Sequence, residues 1–337
     1  MIMNKNILTD NQLKMKLVNY KFDFSSDEFG ELKKLGFYHV FNSFVENNVR
    51  NNGQNKKLID YLKLYKLDFD LRALLFPMIL SLESIFKQRL NDTITEEIIL
   101  NNSTSPHYNE VVKLCIKSKS NVNVKQTLFR SCSHKNQIVS HFFDNHNDIP
   151  IWAYFELLDL GQFLSIIENC TDKDDTPRGV DKIKEKFSLN CNFKRSDGGQ
   201  FTQNQKSEYI YQSLRLIYLV RNNIAHNQPV IDGRYKNNGY DIKHGKLISM
   251  IADLLSTINP TYAIPPTLTY DFNTITDAVT IIYLLYVFTF GKDNISDRCK
   301  VFINDEIMLN NSSLNNKIHS KIFGLDNIDK ANLMLSI

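Results

Sequence analysis

Near the middle of the second half of the chain runs LVRNNIAHNQP, Leu219 to Pro229, with Arg221 and His226 five positions apart and Asn222 between them. A guanidinium can hold a phosphate through two parallel hydrogen bonds, and an imidazole can move a proton near neutral pH. With the amide of Asn222 to orient the group, these residue types suit cleavage of an RNA phosphodiester. RNA needs no metal or cofactor for this, because its own 2′-hydroxyl serves as nucleophile. The step requires deprotonating that hydroxyl, stabilising the phosphorane charge and protonating the leaving oxygen, and it leaves a 2′,3′-cyclic phosphate. One histidine performs one proton transfer per step. A symmetric dimer that brings two such helix ends together supplies two.

The spacing of an arginine and a histidine is weak evidence by itself, so context decides. The surrounding helix reads SEYIYQSLRLIYLVRNNIAHNQP, with Ile210, Leu214, Ile217, Val220 and Ile224 on one side. At about 100° per residue, Arg221 falls within that apolar stripe. A charge there must be paired or hydrogen-bonded, so Arg221 either meets a carboxylate or faces a cleft that admits an anion. Asn222 and His226, four apart, share a face. His226 occupies the last turn, just before Asn227 and Pro229 end the helix, where the helix dipole favours imidazolium. The bland alternative is a capping histidine beside a core arginine paired with an acid such as Glu83.

The elements that must position this stretch belong to an all-α chain. Of the 337 residues 42% are hydrophobic and 23% charged, ordinary for a globular protein able to bury a core. Apolar residues recur every three or four positions and no long alternation suggests a sheet. Helices are expected near residues 11–20, 26–47, 58–95, 109–117, 124–144, 151–169, 205–227, 243–258, 275–290 and 314–336. Pro77 should kink or split the third of these, and Gly161 should mark a bend between two short helices, with Pro150 in the first turn. Polar loops are expected at 101–107, 171–179 and 194–200. The proline-rich stretch 259–270 is the best boundary, which divides the chain into an N-terminal helical segment (1–57), a core (58–258) and a C-terminal helical segment (259–337). The most apolar run, Ala278 to Phe290, is too short for a bilayer and reads as a buried helix.

A net charge of +3 permits a nucleic-acid partner without demanding one. Basic residues gather at 55–66, 117–135 and 234–246, each of which could equally be a solvated face. Lys87, Arg89, Lys125, Arg130, Lys135 and Arg234 are the candidates for contacts to RNA phosphates. Trp152 could stack on a base but is expected in the core. Five cysteines, an odd number with no C-x-x-C pair, and the absence of an apolar leader lead us to expect a cytoplasmic protein. Cys132, His134, His141 and His146 match no common zinc spacing, so no metal is expected. There is no glycine-rich phosphate loop and no usable Ser/His/Asp or Cys/His order, which argues against an ATP-driven or acyl-transfer enzyme.

Several stretches, in order, resemble the Abi (abortive infection) family, the AbiD/AbiF-like group of the HEPN superfamily. They are LGFYHVFNSF (Leu35 to Phe44), LYKLDFDLRALLFPMILSLESIFKQRL (Leu64 to Leu90), IPIWAYFELLDLGQFLSII (Ile149 to Ile167) and VRNNIAHNQPV. The chain departs from the family pattern at Ile224, where many members carry Cys, and at Asn227 and Gln228, where many carry His and Arg. After about Asp241 no correspondence is found. The resemblance implies a HEPN-like helical bundle with additional N- and C-terminal helices, forming a homodimer. It also implies a composite, metal-independent ribonuclease site built on Arg221, Asn222 and His226. A toxin-like role in defence against phage is implied too, with a small noncoding RNA as regulator; no membrane partner is expected, since the longest apolar run is too short to span. Two other readings stay open: an RNA-binding protein that does not cut, and a helical module that senses a phage protein.

Overall fold

The computed structural model describes residues 8–40, 56–100, 150–169, 203–231, 275–307, 331–332 and 334–335. Among these the chain is all-α. The expected helices at 109–117, 124–144 and 243–258, nearly all of the one at 314–336, the polar loops and the proline-rich boundary lie outside the described residues.

Helix α1 (Asp10–Asn19) and helix α2 (Ser26–Leu35) each begin with a reciprocal cap. Thr9 with Gln12, and Ser25 with Glu28, exchange side-chain and backbone hydrogen bonds at the N-terminus. Each helix buries two apolar residues one turn apart, Leu13 with Leu17 and Phe29 with Leu32. The single long helix expected from residue 26 stops at Leu35, because Gly36 adopts a left-handed φ of 94°, and a short helix α3 (Phe37–Val40) follows. Between α1 and α2, strand β1 (Phe22–Asp23) pairs in parallel with strand β2 (Lys56–Lys57), a two-residue ladder too short to register as alternation in the sequence.

Helix α4 (Leu58–Leu100) is the spine, 43 residues and about 65 Å long. Leu67, Leu71, Leu74, Leu75, Met78, Ile79, Leu82 and Phe86 form its buried side. Pro77 does not split it. The proline lies on the exposed side, so its missing N–H is lost where water can reach the carbonyl it leaves free, while the buried residues around it hold the helix together. Among the described residues, helix α2, helix α5 (Ile151–Leu157), helix α7 (Gln203–Ala225) and helix α8 (Ile275–Phe290) pack on α4; helix α6 (Leu160–Asn169) packs on α7, and α7 also meets α8.

Helix α8 has the bounds expected for it and is buried from Ala278 to Leu285, including Thr280. No helix among the described residues is long and apolar enough to cross a membrane. After a 3-10 turn (Lys292–Asn294), helix α9 (Asp297–Phe302), capped by Ser296, runs into a π turn (Ile303–Ile307). These short turns had no periodic signal long enough to read.

The break between α5 and α6 falls at Leu158–Asp159, two residues before the glycine expected to cause it. Asp159 Oδ1 accepts from the Gln162 amide at 2.8 Å, and Gln162 Oε1 accepts from the Asp159 amide at 3.1 Å, so the acid starts α6. Gly161 serves packing instead. A Cβ there would stand 2.9 Å from Tyr218 Cε2, so its absence lets α6 approach α7.

Candidate functional site

The α7 stripe is buried through Leu214, Leu216, Ile217, Leu219 and Val220. Its end is built by hydrogen bonds that follow a double-looped pattern. The Asn227 amide donates to Ile224 O at 3.0 Å and the Gln228 amide to Asn223 O at 2.7 Å. Asn227 takes the left-handed φ of 53° that this closure needs, and Pro229 prevents continuation. The His226 amide donates to Asn222 O at 2.9 Å, so helical bonding reaches His226, one residue past the end of α7, and His226 is exposed.

Helix α4 holds this end with two buried ion pairs. Asp68, Arg72, Glu83 and Lys87 fall within about 100° of one another around the helix, the arc that faces α7 and the α5–α6 break. The first pair, Arg72 Nε to Asp68 Oδ2 at 2.9 Å, is almost wholly buried. Asp68 Oδ1 accepts the backbone amides of Val230 at 2.8 Å and Ile231 at 3.0 Å, and Arg72 Nη1 donates to Asn227 Oδ1. The turn that follows the motif is thereby tied to α4 from both its charges.

The second pair, Lys87 Nζ to Glu83 Oε1 at 2.9 Å, lies beside Arg221. Lys87 Nζ also donates to Leu158 O at 2.7 Å, a carbonyl freed by the break before α6. Arg221 approaches the same acid from α7, Nε to Glu83 Oε2 at 3.8 Å. That distance gives Coulomb attraction but no hydrogen bond, and both atoms are buried without a hydrogen-bonding partner among the described residues. The Arg221 side chain is nonetheless 29% exposed, and since Nε is buried the exposure belongs to the rest of the side chain. Both branches weighed for Arg221 are therefore present: it meets Glu83 loosely and it reaches solvent.

Arg221 and His226 are separated by about 7.5 Å of rise and about 140° of rotation, so they leave the helix on different sides, whereas Asn222 and His226 share one. Asn222 is partly buried.

Among the expected phosphate contacts, Lys87 requires correction. It is 7% exposed, and its ammonium is engaged by Glu83 and Leu158 O. An i,i+4 acid on the same helix made its burial affordable, which a basic helix end seen in sequence does not disclose. Arg89 is partly buried. Lys125, Arg130, Lys135 and Arg234 lie outside the described residues, as do Cys132, His134, His141 and His146. Trp152, expected in the core, is 48% exposed on α5. The grip of Asp68 and Arg72 on the motif was not foreseen. Its signal was an opposite-charge pair at i,i+4 inside an apolar run, where unpaired charges do not survive.

No curated protein and no solved structure matches the chain. The family model described as Abi-like protein matches residues 30–232, a span that opens in α2, contains the two buried ion pairs Asp68–Arg72 and Glu83–Lys87 of α4 and ends just after the Val230–Ile231 turn. That is well over half of the chain, which therefore belongs to the family of Abi-like proteins.

Proposed function

We propose that this chain is an abortive-infection protein that acts as a metal-independent endoribonuclease of the HEPN kind, with Arg221, Asn222 and His226 as its working residues. The observation that carries the reading is the state of Arg221. It is an arginine set in an apolar stripe, loosely attracted to one carboxylate, without a hydrogen bond at Nε, and open to solvent over part of its length. A structural arginine on the same pair of helices, Arg72, is by contrast buried and bonded on two sides. Arg221 would hold the scissile phosphate, Asn222 would orient it, and His226 would move the proton. Because Arg221 and His226 diverge around α7, the reading takes the active form to be a homodimer in which each helix end completes the other. Regulation by a bound noncoding RNA belongs to the same proposal.

The test is cleavage of a 5′-labelled RNA by purified protein in excess EDTA. Cleavage that leaves 2′,3′-cyclic phosphate ends, and that falls at least a hundredfold in both Arg221→Ala and His226→Ala while both variants keep the wild-type melting temperature, is expected. Activity retained in His226→Ala, or a strict need for magnesium, refutes the mechanism. The divergence of the two side chains favours a second reading, an RNA-binding protein that grips phosphate without cutting. RNA that copurifies intact, and is lost in Arg221→Ala, is its signature.

A further inference from the structure

The Lys87–Glu83–Arg221 cluster places two cations on one carboxylate. Glu83 Oε1 is engaged by Lys87 at 2.9 Å, and Oε2 is left 3.8 Å from Arg221 Nε with no hydrogen bond. Lys87 is buried and also fixed by Leu158 O, so it cannot turn outward. Among the described residues no second carboxylate meets the excess positive charge, and of the three side chains Arg221 is the one substantially exposed. Asp68 and Arg72, a pair fifteen residues earlier on α4, show the alternative: one acid, one arginine at 2.9 Å, further bonds on both, and no outlet.

We infer that Glu83 is a positioning residue that works as a built-in competitor for Arg221: it aims the guanidinium while Lys87 keeps it from closing a full salt bridge, leaving a seat for a phosphate-type anion whose affinity the pair sets. This rests on the reading of Arg221 given above and adds its regulation. Replacing one acid by a neutral isostere leaves two cations facing the seat, and replacing the lysine leaves a carboxylate free to pair with Arg221 outright. The two neighbours of one ion pair should therefore act in opposite directions. A unit charge within about 6 Å, partly screened by the exposed side of the seat, changes anion affinity by roughly tenfold.

The probe is inorganic phosphate, titrated into the full chain labelled with 15N-arginine, with the Arg221 and Arg72 Nε–H signals assigned through Arg221→Lys and Arg72→Lys. In wild type the Arg221 signal should shift saturably while the Arg72 signal stays. Glu83→Gln should tighten the phosphate Kd about tenfold and Lys87→Gln weaken it about tenfold. A purely structural role for the pair makes both variants weaker and overturns the inference, as does an Arg221 signal that ignores phosphate in wild type. Where Glu83→Gln or Lys87→Gln does not accumulate, Glu83→Asp and Lys87→Arg take their place, with tighter phosphate binding in the first and unchanged binding in the second expected, and the reverse order overturning the inference. A seat that obeys this order in a chain that leaves RNA intact sinks the nuclease reading and keeps the seat. Cleavage without any phosphate response at Arg221 does the reverse.

Discussion

Removing the Asp68 carboxylate should cost more than any other single change at the motif. In Asp68→Ala the buried Arg72 loses its partner at 2.9 Å, and the amides of Val230 and Ile231 lose the oxygen they share. Breaking a buried pair from one side costs about 3–5 kcal/mol, and each orphaned amide adds about 1–3 kcal/mol. The amides belong at the low end, because the turn can swing toward water, which puts the total near 5–7 kcal/mol. Asp68→Asn keeps an acceptor for both amides and should lose about half of that. Arg72→Met strands the carboxylate but leaves its two amide donors, for about 3 kcal/mol. The double variant Asp68→Asn with Arg72→Met should be milder than the sum of its parts by about 2 kcal/mol, since the second change removes the charge that the first one strands. Urea titration followed by circular dichroism supplies the midpoints and slopes. Amide hydrogen exchange at Gln228, Val230 and Ile231 reports whether the turn has come loose. A loss below about 1 kcal/mol in Asp68→Ala, or strict additivity in the double variant, would refute the claim that α4 holds the motif through this pair.

Gly161→Val should lower stability by about 1–3 kcal/mol, because a side chain there meets the Tyr218 ring at 2.9 Å; thermal melts should show part of the loss returned by Tyr218→Ala, and no return points away from that contact. Burial pushes the Cys299 thiol up to about 11 from its ordinary 9.0, which leaves about a hundredfold less thiolate at pH 8. A short iodoacetamide pulse followed by peptide mass spectrometry should find Cys299 unmodified in the native chain and modified in urea; equal labelling in both contradicts its burial. The same shift has a sign in stability: above pH 9 the unfolded chain ionises this thiol and the folded chain does not, so stability falls between about pH 9 and 11 by on the order of 3 kcal/mol. Burial likewise raises Tyr283 to about 12, with the nearby Cys299 adding to the effect, so the melting temperature should keep falling beyond pH 10, and less steeply in Cys299→Ala.

Where packing is uniform, the sequence was a sufficient guide. Helix α8 is apolar on every side and buried, and its bounds follow from composition alone. The end of α7 was also legible, because Asn227 and Pro229 stop a helix by local chemistry, to which Arg72 adds its bond to Asn227 from α4. What could not be read depended on contacts far along the chain. The charge of Lys87 pointed to a surface, yet its burial rests on Glu83 one turn away and on Leu158 O from another helix. Gly161 looked like a hinge because glycine usually is one, while the break belongs to Asp159 and the glycine answers to Tyr218. Pro77 looked like an interruption, but an exposed proline in a helix buried on its other side costs one hydrogen bond and not the element. Arg221 was narrowed in advance to a carboxylate or a cleft; only coordinates could reveal a carboxylate already shared.

The tie between Asp68 and the amides of Val230 and Ile231 spans more than 160 positions of the chain. A ribosome adding roughly 5–20 residues per second needs on the order of ten to thirty seconds to travel that far. Throughout that interval the nascent chain carries the acid and Arg72 without the turn they will hold, and Glu83 without Arg221. The motif is therefore assembled late, by long-range closure, after most of the matched family region has left the exit tunnel. A prematurely terminated product that ends between His226 and Pro229 would own every residue of the catalytic proposal and lack both amides by which Asp68 clasps the turn.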